Sequence, residues 1–134
     1  MSKVALKAQS IAPGLTVNDL TKSIHFYVEG LGFEITRRHE MEGVLRFVSV
    51  QAGTAELGLG ADDFAKGKDR VKGVGLRLYI TTAQDLNQLA TRAKGAGLTL
   101  DHDVMEMPWG QMAFALTDPD GFKLTIAGEL PKVS

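Results

Sequence analysis

Glu56, Arg77, Tyr79 and Thr125 each sit between apolar neighbours, in Ala55-Glu56-Leu57, Leu76-Arg77-Leu78-Tyr79-Ile80 and Leu124-Thr125-Ile126. Successive side chains of a strand point to opposite faces, so these four share the face turned away from the packing residues. A carboxylate and a phenol on one face suit acid–base work on an enolisable substrate, if a semi-apolar setting raises the carboxyl toward neutrality. A guanidinium there has two readings. It binds a ligand carboxylate or phosphate through its planar fork, or it pairs with Glu56 so that two buried charges satisfy each other. Glu56 could equally receive a ligand ammonium. Met105, Met107 and Trp109 cluster just before Gly110. Two thioethers and an indole suit a flat, apolar, adaptable ligand, or they pack a hairpin corner or a subunit contact.

Other chemistry is missing. There is no cysteine, which removes disulfides, thiolate catalysis and Cys-ligated zinc. His25 falls on the polar side of a helical pattern and reads as a surface residue, while His39 and His102 have no metal-pair spacing. Gly58 and Gly60 lie at a strand end with no helix after them, so they make no phosphate loop. A net charge of −1 gives no reason to expect nucleic acid or an anionic membrane as partner. Met1–Lys7 lacks the apolar centre of a signal peptide, and no run of about 18 apolar residues occurs. A cytoplasmic location is the resulting expectation.

The elements that must position these residues come in two copies. Gly30-Leu31-Gly32-Phe33-Glu34-Ile35 returns as Gly95-Ala96-Gly97-Leu98-Thr99-Leu100, 65 positions later. A fixed internal period sets the architecture. Residues 10–17 read as a strand with Ile11, Leu15 and Val17 on one face. Asn18 or Asp19 caps a helix whose apolar stripe is Leu20, Ile24, Tyr27, Val28 and Leu31, and Gly30 ends it in a conformation suited to positive φ. Strands at 33–39, 44–51 and 54–59 follow. Residues 61–73 are a charged connector, expected to be solvated. Leu76, Leu78 and Ile80 then open a second strand–helix–three-strand unit, with Thr82 and Asp85 resembling a capping box. Its strands fall near 98–106, 111–117 and 122–127, the last two joined by the turn Asp118-Pro119-Asp120-Gly121. The chain is expected to be one α+β domain of two tandem βαβββ modules, approximately 10–60 and 74–128.

The run from Val17-Asn18-Asp19-Leu20 to Leu31-Gly32-Phe33 resembles the first module of the vicinal oxygen chelate superfamily. So does Pro108-Trp109-Gly110 followed by Phe114-Ala115-Leu116-Thr117-Asp118-Pro119-Asp120-Gly121 for the second. That superfamily includes glyoxalase I, extradiol dioxygenases and bleomycin-resistance proteins. The resemblance implies a cup-shaped mixed sheet, with metal ligands, where present, on the first and last strands of each module. The four corresponding positions here are Ala12, Glu56, Gly75 and Thr125. Three of them lack a metal-binding side chain, and a catalytic divalent ion needs about three protein ligands. The expectation is a metal-free, cofactor-free protein of the bleomycin-resistance-like branch. It would bind a small apolar or aromatic molecule with Glu56, Arg77, Tyr79, Met105, Met107, Trp109 and Thr125, as a homodimer. The alternative is a lyase, isomerase or dioxygenase of the glyoxalase type acting through Glu56. A third reading, a structural partner without a pocket, requires a cup filled by its own side chains.

Overall fold

The computed structural model describes residues 4–130. It contains two four-stranded sheets, one from each half of the chain. The first is built from β1 (Gly14–Val17), β2 (Glu34–Met41), β3 (Val44–Ala52) and β4 (Ala55–Ala61), in the order β1-β4-β3-β2. The second is built from β5 (Arg77–Thr81), β6 (Leu100–Glu106), β7 (Met112–Thr117) and β8 (Lys123–Ala127), in the order β5-β8-β7-β6. In both, the opening strand runs parallel to the last strand, Leu15 against Leu59 and Leu78 against Leu124, and the other pairs are antiparallel. The same connectivity twice is what the repeated sequence requires. The α+β architecture of two βαβββ units expected from it is therefore observed.

Each sheet packs one face on its helix. Leu15, Val17, Val48, Val50, Leu57 and Leu59 form that face in the first half; Phe114, Leu116, Leu124 and Ile126 form it in the second, and all are buried. The two sets belong to one continuous core. Two expectations about the first strand fail. β1 begins at Gly14, and Ile11 is 87% exposed rather than part of the core face. Pro13 has no N–H to donate to a ladder; its carbonyl takes one bond from the Gly58 amide before the pairing begins.

Asp19 caps the first helix by accepting from the Lys22 amide. The helix is α-helical over α1 (Leu20–Ile24) and then widens to a π-type turn over His25–Gly30. The wide turn coincides with burial of two consecutive rings, Phe26 and Tyr27, which meet edge to face at 4.9 Å. Ser23 and Phe26 therefore join the buried set that the simple stripe omitted. Asp85, not Thr82, caps α2 (Leu86–Gly95), accepting from the Asn87 and Gln88 amides, while Thr82 Oγ1 accepts from the Gln84 amide. The glycine with positive φ in each repeat is the second one, Gly32 and Gly97. Gly30 has a different purpose: a Cβ there would collide with the Leu98 side chain of the other half.

The halves are joined by polar groups as well as by packing. Tyr27 Oη donates to Asp118 Oδ2 at 2.7 Å, and the Asn18 amide donates to Asp120 Oδ1 at 2.8 Å. Arg92 donates to the Glu29 and Val28 carbonyls at the end of the first helix. The connector is not wholly solvated. Asp62 is buried and paired with Lys72 at 2.8 Å and Arg70 at 3.2 Å, and these bonds hold its carboxyl down to about pH 2. Gly73 lies so close to the Gly121 backbone that no Cβ fits between them.

Candidate functional site

The faces turned away from the helices carry the candidate residues, and the two are unlike. On the first sheet the Phe47 ring lies across Gly58 and Gly60. A Cβ on Gly58 would stand 3.0 Å from that ring, so the two glycines are the floor on which it rests. The first sheet thus partly covers its own open face. Phe47 could not be given a face from sequence because Val44-Leu45-Arg46-Phe47-Val48 does not alternate cleanly.

The second sheet presents polar and aromatic groups. Arg77 (β5) donates to Thr125 Oγ1 (β8) at 2.9 Å. Of the two readings of Arg77, the ion pair with Glu56 is not found: Arg77 is bonded to threonine, and the ion pairs among the described residues involve Asp62 and Asp103. Tyr79 Oη donates to Gln111 Oε1 at 2.6 Å, and Trp109 Nε1 donates to the same oxygen at 2.8 Å. Gln111 Nε2 in turn donates to the Gly128 carbonyl at 2.6 Å. Gln111 is 3% exposed, whereas Tyr79 and Trp109 are 47% and 53% exposed. A buried amide therefore fixes the polar edges of two rings whose faces remain open. Local backbone supports it: Gly110 has positive φ and its amide bonds the Met107 carbonyl, turning the chain so that Trp109 projects from the corner.

Tyr79 stands between two hollows. One, of about 540 Å³, is lined by Tyr79, Trp109, Gln111, Thr81, Glu129 and Leu130. The other, of about 430 Å³, holds Glu56 beside Tyr79, with Phe33, Leu57 and Leu78 among its apolar walls. Both volumes fall in the range of small-molecule sites. Met105 and Met107 line neither hollow. Sequence pattern alone does not mark Gln111, Glu129 or Phe47 as site residues. Gln111 shares the Pro-Trp-Gly corner with Trp109, but nothing in its type signals a double acceptor.

The metal positions do not assemble. Ala12 and Gly75 precede the strands on which they were placed, since β1 starts at Gly14 and β5 at Arg77. Neither they nor Thr125 joins Glu56 in the lining of its hollow. No group of three or more His, Cys, Asp or Glu side chains comes together among the described residues. One carboxylate with an alanine, a glycine and a threonine does not fit the divalent ion of the vicinal oxygen chelate enzymes. The buried carboxylates instead belong to the joint between halves. Burial raises the Asp118 carboxyl, against the Tyr27 hydroxyl and two backbone amides that lower it. No helix among the described residues is long and apolar enough to cross a membrane.

Comparison with known proteins is consistent with this topology. The family model described as Glyoxalase/Bleomycin resistance protein/Dioxygenase superfamily matches residues 8–126. No curated protein matches the sequence. Among solved structures, TioX from Micromonospora sp. ML1 superposes with a TM-score of 0.73 at 17% identity, over 90% of this chain and 99% of that one. A glyoxalase-related enzyme from Fulvimarina pelagi gives 0.71 at 22% identity, over 91% and 89%. A superfamily member from Sphaerobacter thermophilus gives 0.68 at 28% identity, over 92% and 100%.

Proposed function

Because the chain belongs to the glyoxalase/bleomycin resistance protein/dioxygenase superfamily, we propose that it is a metal-free member that binds a small aromatic molecule without transforming it. One observation carries this reading: two half-exposed rings, Tyr79 and Trp109, are held by a single buried amide beside hollows of ligand size. Two side chains fixed in advance lose little freedom when a ligand arrives, which favours affinity. Glu56, in the hollow beside Tyr79, anchors a charged end, while Arg77 is held by Thr125 outside both hollows. Met105, 47% exposed on β6, and Met107 lie outside both hollows and would meet only a ligand long enough to run along the rim of the sheet. The protein acts in the cytoplasm as a homodimer. A second copy would complete the cup along an end strand of one of the two sheets, since open edges invite pairing or cover.

Trp109 is the only tryptophan, so its emission reports the site. A thermal-shift screen against flat aromatic metabolites and antibiotics should raise the melting temperature, because a ligand selective for the native state stabilises it. Hits should quench Trp109. The purified protein should carry no stoichiometric metal after exposure to Zn²⁺, Ni²⁺ or Fe²⁺. A metal held at one per chain, or a screen without a single quenching hit, would reject the proposal.

The hollow shared by Glu56 and Tyr79 favours a second reading, acid–base catalysis of the glyoxalase type through Glu56. It requires turnover of a glyoxalase or dioxygenase substrate that Glu56→Gln removes.

A further inference from the structure

We infer that the Tyr79–Trp109 shelf selects planar cations: aromatic or heteroaromatic molecules bearing a delocalised or quaternary positive charge. The inference rests on the small-molecule reading above and adds the sign of the ligand's charge. Four observations support it.

First, the shelf has spent its donors. The Tyr79 hydroxyl and the Trp109 indole N–H both point at Gln111 Oε1, and the Gln111 amide N–H₂ is turned to the Gly128 carbonyl. An anion arriving over the rings finds neither of these donors free, and anions are held by donors and cations. Second, the charged side chains lining the two hollows are carboxylates, Glu129 in one and Glu56 in the other. Third, Arg77, the cation on the same strand, is bonded to Thr125 and lines neither hollow. Fourth, a ring that donates its N–H or O–H to a carbonyl becomes richer in π-electron density. That strengthens its attraction for a cation above its face. The half-exposure of both rings leaves those faces reachable.

The experiment uses the full chain and three probes of nearly one shape: N-methylacridinium, neutral acridine at pH 7.5 and acridine-9-carboxylate. Affinities are measured by calorimetry, with Trp109 quenching as the local reporter. N-methylacridinium should bind at least about tenfold more tightly than acridine, and acridine-9-carboxylate most weakly. Glu56→Gln and Glu129→Gln should each weaken the cation roughly three- to tenfold and leave acridine unchanged. Both variants are first checked for an unchanged melting temperature. Equal affinity for the three probes, or preference for the carboxylate, overturns the charge selectivity while leaving the binding reading intact. Failure of all three to bind or to quench counts against both.

Discussion

Replacing Tyr27 by Phe tests the joint between the two halves with the loss of one oxygen. Tyr27 is fully buried, and its hydroxyl donates at 2.7 Å to Asp118 Oδ2. The other carboxylate oxygen already accepts from the Asp120 and Phe122 amides at 2.9 Å each. Phe fills nearly the same volume, so packing is retained and the cost is that of an unsatisfied buried carboxylate oxygen. A hydrogen bond to a charged group contributes about 1.5–3 kcal/mol. For a domain of this size, about 2 kcal/mol corresponds to a fall in melting temperature of roughly 6–10 °C. The pH dependence gives a second, sharper test. Burial raises the Asp118 carboxyl in the folded protein, and the Tyr27 hydroxyl opposes that rise. A carboxyl raised on folding binds its proton more tightly when folded, so its contribution to stability falls as pH rises above the unfolded value near 4. Removing the Tyr27 hydroxyl raises it further. The deficit of Tyr27→Phe should therefore be full at pH 7 and shrink toward pH 4, as Asp118 takes up a proton and loses its need for a donor. Asp118→Asn should be milder than Asp118→Ala, because its amide can still bond the Tyr27 oxygen and accept from the two backbone amides. Urea unfolding of the variants at pH 4 to 7 measures all of this. A deficit under about 0.5 kcal/mol at pH 7, or one that does not change with pH, would refute the account.

Gly73→Ala should cost about 3 kcal/mol or more, since its φ is positive and its neighbour is the Gly121 backbone, which cannot swing aside. Gly43→Ala, with positive φ but open space around it, should cost only about 1 kcal/mol; thermal unfolding separates the two. Asp62 should matter least in strong acid. Its carboxyl is lowered by Lys72 first and by the Phe64 amide next, so its contribution is present above about pH 4 and is lost as pH falls toward 2. Asp62→Asn should thus destabilise at pH 6, with a deficit that shrinks from pH 4 downward and closes only below about pH 2, seen in acid unfolding followed by circular dichroism. Gly58→Ala should displace the Phe47 ring from its floor and lower stability by about 1 kcal/mol, and Phe47→Ala in the same chain should relieve the clash.

The doubled architecture was legible because each half writes the same periodicities: a period of two in the strands, three to four in the helix, and glycine where the chain turns. Fixed backbone chemistry made the Asp118–Gly121 turn equally plain, and the Gly121 amide closes it on the Asp118 carbonyl at 3.0 Å. What sequence could not convey depends on contact between the halves. Gly30 looked like a helix stop, yet it is small because Leu98 needs the space. Tyr27 read as one more apolar stripe residue, yet its hydroxyl finds a carboxylate 91 positions away. Asp62 and Lys72 looked like solvent charges until folding brought them together. The site shows the same division. Alternation placed Glu56, Tyr79 and Thr125 on the open faces, but it carried no information on partners, so an ion pair with Glu56 and a ligand anion were equally open readings of Arg77, and a bond to Thr125 is found.

One scaffold used twice has been finished in two ways, and under the binding proposal this difference decides which sheet offers the ligand a surface. In the first sheet, β4 contributes Gly58 and Gly60 to the open face, and the space they leave is taken by the protein's own Phe47. In the second, β8 contributes Thr125 and the buried Ala127 there, and the aromatic groups stand at the margin, on β5 and at the corner before β7. A ring lying over glycines is satisfied by the chain itself. Rings fastened by their polar edges to Gln111, with faces half open, are not. The joint that holds the halves together also bears on this asymmetry. Tyr27, Asn18 and Arg92 reach across it to groups of the other half, so the orientation of the second sheet is set by bonds that lie outside the hollows proposed for the ligand. Substitutions at the joint should therefore lower stability with little change in ligand affinity at the temperature where the protein is folded, whereas substitutions at Gln111, which is buried and holds three hydrogen bonds, should lower both.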